Sequence, residues 1–264
     1  MRTLIPVIPL IVAALVAQAA AFAPPAQPGG QGRDAAVPFK VGERLTYDVT
    51  WSTFLVAGTA YATVAARVEG GGAPAYHLVA DGRPIPLLQR LYNVYYKMES
   101  MLDVATLLPQ RTSLLSEEKS GKRLAATRFD RPRQKGLFEL DDAGTPLKSE
   151  FDIPPQVQDG LSAVYVLRAM NFKAGERISL PVADDGNVYT VQADPAALEQ
   201  TRVPFGTLEA WRVNVSVVDA AGQPAISDAA VWYSTDARRL PIKLQGKLPV
   251  GHFVLVLREV SQAQ

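Results

Sequence analysis

Cysteine is absent from this chain of 264 residues, and only two histidines, His77 and His252, are present. Without thiolates the chain can form no disulfide and no cysteine-ligated metal site, and it offers no cysteine for lipid attachment. Two isolated histidines do not make a convincing zinc site. The sequence therefore predicts no metal and no cofactor, and the fold must be stabilised by burial of apolar side chains.

The chain also lacks an excess of either charge, since 27 basic side chains stand against 26 acidic ones. Proteins that bind nucleic acid carry clustered positive charge, because they neutralise phosphates. A near-neutral balance gives no such footprint, so we expect no nucleic-acid partner. The length suits one large β domain or two small ones.

A short apolar run lies at the N-terminus. Arg2 precedes Leu4–Val16, which contains Pro6 and Pro9 and is followed by small residues. The run is shorter than the roughly 20 residues that a membrane-spanning helix needs. Its arrangement is typical of a secretory signal peptide. We predict a signal peptide over residues 1–19, with cleavage possible as far as residue 23, a periplasmic location and no transmembrane span after cleavage. An uncleaved anchor is the alternative.

Two further regions follow the signal segment. Residues 20–38 are rich in Pro, Gly, Gln and Ala without periodicity, which predicts a flexible tether. Residues 39–264 contain many short runs in which apolar and polar residues alternate, as in Leu45–Trp51, separated by Gly, Asp-Gly and Pro signals. A period of two is typical of antiparallel strands. We predict a single β-rich domain with β units over 41–140 and 173–262.

A helix is predicted between the two β units, within a linker-and-helix segment over residues 141–172. Asp159 suits an N-cap and Asn171 a stop, and the residues between them are apolar on nearly all sides. Such a helix is buried. The predicted fold class is therefore mainly β: one or more strongly curved antiparallel sheets, half-barrel or barrel-like, formed by two related β units that this buried helix joins.

Two pairs of motifs suggest that the β units are related by duplication. Gly42-Glu43 recurs as Gly175-Glu176, and the Asp-to-Pro turn Asp103–Pro109 recurs as Asp236–Pro241. The separations are 175 − 42 = 133 and 236 − 103 = 133. In each turn the Asp can accept hydrogen bonds from nearby backbone N–H groups, and the Pro can begin the next strand. These motifs mark the fold and not an active site.

The chain resembles the DUF3108 family of bacterial exported proteins of unknown function. The resemblance lies in GERLTYDVTW with the glycine after it (Gly42–Gly58), ESMLDVATLLPQR (Glu99–Arg111), QDGLSAVYVLR (Gln158–Arg168) and VWYSTDARRLPIKL (Val231–Leu244). These stretches follow one another over almost the whole mature chain, so the resemblance concerns the domain. It implies a periplasmic β-rich domain, and it implies no activity and no catalytic residues.

The residues themselves also predict no catalytic site. The G-x-S-x-G motif of hydrolases is missing, and a lone His77 or His252 is usually structural. Glu99 and Asp103 would lie roughly 13 Å apart on a strand, too far for a glycosidase pair. Asp184–Asn187 suits a hairpin turn better than a calcium loop.

Five residues are candidates for ligand binding. Arg168, in the apolar helix, either pairs with a core carboxylate or clamps an anionic headgroup at a cavity mouth. Tyr47, Trp51, Tyr95 and Trp232 either build the core or line a cavity for an apolar or glycan ligand.

The leading hypothesis is a non-enzymatic periplasmic protein that binds an apolar or amphipathic envelope component, such as a lipid, or a protein partner of envelope assembly. One alternative is a glycan-directed hydrolase on a β scaffold. The other is a purely structural envelope scaffold.

Overall fold

A computed structural model describes residues 36–51, 55–69, 73–89, 94–119, 121–248 and 251–262. The predicted signal peptide and residues 20–35 of the predicted tether lie outside these residues. No helix in the described ranges is both long enough and apolar enough to cross a membrane.

The described residues form fifteen strands and two helices. The first part of the chain contains β1 (Glu43–Trp51), β2 (Leu55–Val68), β3 (Ala75–Pro84), α1 (Pro86–Gln89), β4 (Tyr95–Asp103), β5 (Pro109–Glu118), β6 (Gly121–Asp130), β7 (Lys135–Asp142) and β8 (Thr145–Asp152). The second part contains β9 (Gln158–Asp159), α2 (Gly160–Ala169), β10 (Ile178–Asp184), β11 (Asn187–Val203), β12 (Gly206–Val218), β13 (Pro224–Ser234), β14 (Pro241–Leu248) and β15 (Gly251–Gln262).

All the described strands belong to one sheet, in the order β8-β7-β6-β5-β4-β3-β2-β1-β15-β14-β13-β12-β11-β10-β9. Neighbouring strands are antiparallel, except that β9 and β10 are parallel. Strands β8 and β9 are the two edges, so the sheet is not closed. The prediction of a mainly β, antiparallel fold is confirmed.

Alternation of polar and apolar residues explains why these segments are strands. In β1, Leu45 and Tyr47 are buried whereas Arg44 is exposed. Strand β8 lies inside the segment that was predicted to be a linker. Seven of its eight residues are exposed, and it carries Pro146 and charged side chains. These features are typical of an edge strand that resists pairing with other molecules, and they give little strand signal in the sequence.

Helix α2 begins with a capping box. One carboxylate oxygen of Asp159 accepts hydrogen bonds from the backbone N–H groups of Leu161 and Ser162, at 2.8 and 2.9 Å. The Ser162 hydroxyl accepts one in return from the Asp159 N–H. Since these bonds satisfy donors that the first turn would leave unpaired, the sequence QDGLS fixes where the helix begins.

The core contains two large apolar clusters, and helix α2 contributes to both. Ala163 and Leu167 belong to the cluster formed with β1 and strands β10 to β15. Leu161, Tyr165 and Val166 belong to the cluster formed with β2, β3 and β4. Eight of the ten helical residues are buried.

A buried ion pair connects the helix to the first strand. The Arg168 guanidinium donates to both carboxylate oxygens of Glu43, at 2.7 and 3.1 Å, and it also donates to the backbone carbonyls of Arg238 and Arg239. The side chains of Arg168 and Glu43 are 0% and 8% exposed. This pair therefore fixes helix α2, β1 and the turn before β14 in one arrangement.

The Arg168→Met substitution should lower the free energy of unfolding by about 3–5 kcal/mol, because it leaves the Glu43 carboxylate buried without its partner. The double variant Glu43→Leu/Arg168→Met should recover much of this loss. Urea denaturation of wild type, both single variants and the double variant measures the coupling.

The control is Arg177→Met, which removes the exposed pair with Asp194 and should change the stability by about 1 kcal/mol at most. A loss for Arg168→Met no larger than that of Arg177→Met would contradict the role given to the buried pair.

Candidate functional site

A groove of about 400 Å³ lies on strands β3 to β7. This volume is within the range of small-molecule sites in proteins. The residues that line the groove are His77, Glu99, Met101, Arg111, Thr112, Ser113, Ala126, Thr127, Arg128, Leu137 and Glu139.

The groove lies mainly on the sheet face opposite the core. Leu78, Leu102 and Leu114 are buried in these strands, and the lining residues His77, Met101 and Ser113 are their immediate chain neighbours. Because successive strand residues point to opposite faces, the same alternation that builds the core also builds the groove.

Strand register places the lining residues in two rows across the sheet. The first row is His77, Met101, Arg111, Arg128 and Leu137, each the cross-strand partner of the next. The second row runs alongside it.

That second row is Glu99, Ser113, Ala126 and Glu139. The small side chains of Ser113 and Ala126 stand in its middle, beside the two arginines of the first row. Small residues leave space between their larger neighbours, and this accounts for a depression at this point in the sheet.

The two carboxylates that line the groove, Glu99 and Glu139, are paired with basic side chains. His77 Nε2 and Lys97 Nζ lie 3.0 and 2.9 Å from the Glu99 carboxylate. Burial raises the pKa of the Glu99 carboxyl, but the hydrogen bonds from Lys97 and His77 outweigh this and leave the pKa lowered. Lys148 donates to Glu139 at 2.6 Å and lowers its pKa. Both carboxylates are therefore held in the ionised state.

The remaining groups considered for catalysis do not line this groove. Asp103 accepts hydrogen bonds from the Ala105 and Thr106 N–H groups, so its carboxylate shapes the turn between β4 and β5. His252 is an exposed residue of β15 opposite Lys247. His77 and Glu99 come together, whereas Asp103 and His252 do not join them.

The Asp184–Asn187 segment forms the hairpin turn between β10 and β11. Asp185 and Gly186 have φ values of 47° and 74°, the positive angles that such a turn requires.

Arg168 and Tyr47 lie in the core. The Arg168 guanidinium is fully buried against Glu43 and backbone carbonyls, which agrees with the core-carboxylate alternative. The Tyr47 hydroxyl donates to the Pro241 carbonyl at 2.8 Å, and its side chain is 3% exposed.

The other three candidates are dispersed over the sheet. Tyr95 in β4 is half-buried, with the Arg83 guanidinium 4.5 Å from its ring centroid. The Trp232 indole N–H donates to the Glu199 carboxylate, and Lys243 Nζ lies 4.2 Å from the ring centroid. The Trp51 backbone pairs with Phe253, but its side chain lies outside the described residues. Ligand binding by these five residues stays a prediction.

Sequence reasoning missed the arginine pair at the centre of the groove, and the register of the β5–β6 hairpin explains why. Paired residues of a regular hairpin have numbers with a constant sum. In this hairpin Glu118 pairs with Gly121 and Arg111 pairs with Arg128, so both sums are 239. A turn centred on the Ser-Gly signal of the sequence would give a sum of 241 and would place Arg111 opposite Asp130, so that signal alone does not predict the pair.

A much smaller cavity, of about 20 Å³, lies where β5, β6 and β7 approach the helix start and the end of β10. Asp159 and Asp184 both line it. Burial, followed by the nearby Asp185 carboxylate, raises the pKa of Asp184 to about 7. Asp185 also lines this cavity, and the Arg123 guanidinium donates to both of its carboxylate oxygens, at 2.7 and 2.6 Å.

The fold and the groove define a β-rich protein with one open, many-stranded sheet. The chain belongs to the DUF3108 family, a family of unknown function, whose model matches residues 46–258. A search of curated proteins finds no match.

Solved structures similar to this chain include a β-barrel-like protein of the DUF1849 family from Brucella abortus. It has a TM-score of 0.51 and 10% sequence identity, with coverage of 85% of this chain and 98% of that one. This likeness concerns the fold. An exported protein with a YmcC-like fold from Bacteroides fragilis matches with a TM-score of 0.33 and 10% identity, over 87% of this chain and 100% of that one.

The Asp184 carboxyl should make a contribution to stability that falls as the pH rises from about 4 to about 7. The folded protein holds a proton on this carboxyl up to about pH 7, whereas the unfolded chain releases it near pH 4. Asp184→Asn should therefore remove this falling contribution, so that the slope of the unfolding free energy against pH becomes more positive than in wild type within this window. Urea denaturation at several pH values measures it.

The control is Glu259→Gln, which removes an exposed carboxyl of β15 and should leave that dependence unchanged. If Asp184→Asn and wild type show the same slope between about pH 4 and 7, the Asp184 carboxyl does not titrate as stated.

Proposed function

We propose that this protein binds an amphipathic component of the cell envelope in the groove on β3 to β7, and that it does so without catalysis. The observation that carries the proposal is a groove of about 400 Å³ whose lining mixes apolar and charged side chains.

The composition of the groove favours an amphipathic ligand over a wholly apolar one. Met101, Ala126 and Leu137 offer apolar surface, whereas Arg111 and Arg128 offer charge. A wholly apolar ligand would remove the arginines from water without giving them hydrogen-bond partners, which is unfavourable. A ligand with a polar headgroup and an apolar chain satisfies both kinds of side chain.

A periplasmic location is part of the proposal and rests on the sequence. Arg2, the apolar run Leu4–Val16 and the small residues after it are typical of a cleaved export signal. In the periplasm the protein would meet lipids and other amphipathic envelope molecules.

The two alternatives have less support. A glycan-directed hydrolase needs a carboxylic acid that keeps its proton, and in the groove the pKa of Glu99 is lowered. A structural scaffold would present a large exposed apolar patch. The large apolar side chains that are exposed among the described residues include Val56, Leu87, Leu147 and Leu198, which belong to different elements.

We also propose that the sheet consists of two related β units that arose by duplication and curve around helix α2. Strands β1 to β6 correspond in order to strands β10 to β15, and both sets are arranged sequentially in the sheet, so that β1 of the first unit pairs with β15 of the second. Their first residues are separated by similar distances in sequence, for example 178 − 43 = 135 for β1 and β10 and 241 − 109 = 132 for β5 and β14.

Backbone geometry at the start of the two units supports the same relationship. Gly42 and Gly175 both have positive φ, at 87° and 76°. The Glu43 N–H donates to the Lys40 carbonyl and the Glu176 N–H donates to the Lys173 carbonyl, at 3.0 and 3.1 Å. The two lysines and the two glutamates of these bonds are each separated by 133 residues in the sequence, since 173 − 40 = 133 and 176 − 43 = 133.

Filling the groove should abolish retention of the native ligand. In the Ala126→Trp variant a large ring would occupy the space beside Ser113, so little or no amphiphile should co-purify from the periplasm of the native host. Native mass spectrometry and lipid extraction of wild type and variant measure the bound material.

Leu198→Trp adds the same ring at an exposed site of β11 and should retain ligand as wild type does. The proposal fails if wild type carries no amphiphile, or if folded Ala126→Trp retains as much as Leu198→Trp.

A further inference from the structure

Two arginines face each other at the centre of the groove. Arg111 of β5 and Arg128 of β6 are direct cross-strand partners, both are exposed and both line the groove. Like charges directly opposite each other on neighbouring strands are destabilising. Folding alone therefore gives no reason for this arrangement.

The nearby carboxylates do not neutralise the pair. Glu99 is bound by His77 and Lys97, and Glu139 is bound by Lys148. The positive charge of Arg128 contributes to lowering the pKa of Glu139, but Arg128 donates no hydrogen bond to this carboxylate. Among the contacts of the described residues, neither Arg111 nor Arg128 has a hydrogen bond or an ion pair with a carboxylate.

Some arginines on strands have a carboxylate partner. Arg123 of β6 binds Asp185 and Arg258 of β15 binds Asp48, both at 2.6 Å. Arg111 and Arg128 differ from these two, because each stands opposite another arginine at the point where the groove is formed.

We propose that Arg111 and Arg128 form an anion subsite that binds the phosphate headgroup of an amphiphile. This inference rests on the proposed function, because it specifies the polar end of the ligand in the same groove. One guanidinium fork matches the two oxygens of a carboxylate. A terminal phosphate offers three oxygens and up to two negative charges, so it can bind both forks and neutralise both arginines.

Apolar side chains flank the arginine pair in the same row. Met101 is the cross-strand partner of Arg111, and Leu137 is the partner of Arg128. Ser113 and Ala126 leave room beside the pair, in the neighbouring row. A headgroup on the arginines therefore has apolar surface on both sides for the chain attached to it.

Binding of dodecyl phosphate, below its micelle concentration, tests the subsite by isothermal titration calorimetry. The double variant Arg111→Gln/Arg128→Gln should bind it about 100-fold more weakly than wild type, since a charge-assisted hydrogen bond commonly contributes about tenfold or more to affinity. Affinity of wild type should also fall as salt is added.

Arg202→Gln is the matched control. Arg202 is an exposed arginine of β11 that does not line the groove, and its loss should leave affinity unchanged. Thermal unfolding gives a second measurement. Removing two opposed like charges should leave the melting temperature of the double variant unchanged or raise it, whereas a structural role of the arginines would lower it.

Two further probes distinguish the possible results. Dodecyl maltoside has the same chain on a neutral headgroup and should bind more weakly than dodecyl phosphate. Equal binding of both, unaffected by the arginine variants, would overturn the subsite and leave the proposed function standing. No binding of either would overturn both.

Inorganic phosphate tests the contribution of the chain, and it should bind far more weakly than dodecyl phosphate. If it bound equally well and lost affinity in the double variant, the subsite would stand and its occupant would be a free phosphate, not an amphiphile.

Discussion

The buried pair of Arg168 and Glu43 is the interaction on which the arrangement of this protein depends. It joins a helix, the first strand of the sheet and, through the carbonyls of Arg238 and Arg239, a turn of the second half. Removing two charges from water is costly, and only complete hydrogen bonding offsets that cost. We infer that the pair contributes to specificity, because a docking of helix α2 that separated Arg168 from Glu43 would leave buried charges without partners.

The position of helix α2 also bears on the proposed binding site. The helix contributes side chains to both large apolar clusters, so it packs on the core face of the sheet. The groove in which we propose that a ligand binds lies mainly on the other face, where strand alternation places polar side chains and where Ser113 and Ala126 are small. Opposed arginines are tolerated there because both are exposed, and water and salt weaken the repulsion between exposed charges.

Local patterns in the sequence were sufficient to predict much of the secondary structure, but they were not sufficient to predict the candidate site. Alternation predicted a β-rich fold, although it gave little signal for β8, and Asp159 predicted the helix start, because both signals depend on neighbours in the chain. Glu43 is the partner of Arg168 across 125 residues, and no local pattern identifies it. The groove depends on the register of five strands, so single residues gave no indication of it. Tyr47 and Arg168 were chosen for their chemistry, and that same chemistry is satisfied inside the core.

The proposed duplication allows the groove of the first β unit to be compared with the matching strands of the second. At the separation of 133 residues, the cross-strand pair of Val79 and Glu99 would correspond to the pair of Arg212 and Trp232. Glu99 lines the groove and its side chain is one-third exposed, whereas Trp232 is 3% exposed. The Trp232 N–H donates to Glu199, and Lys243 lies over its ring. If the two units are related, the same position would therefore serve packing in one unit and the proposed binding site in the other.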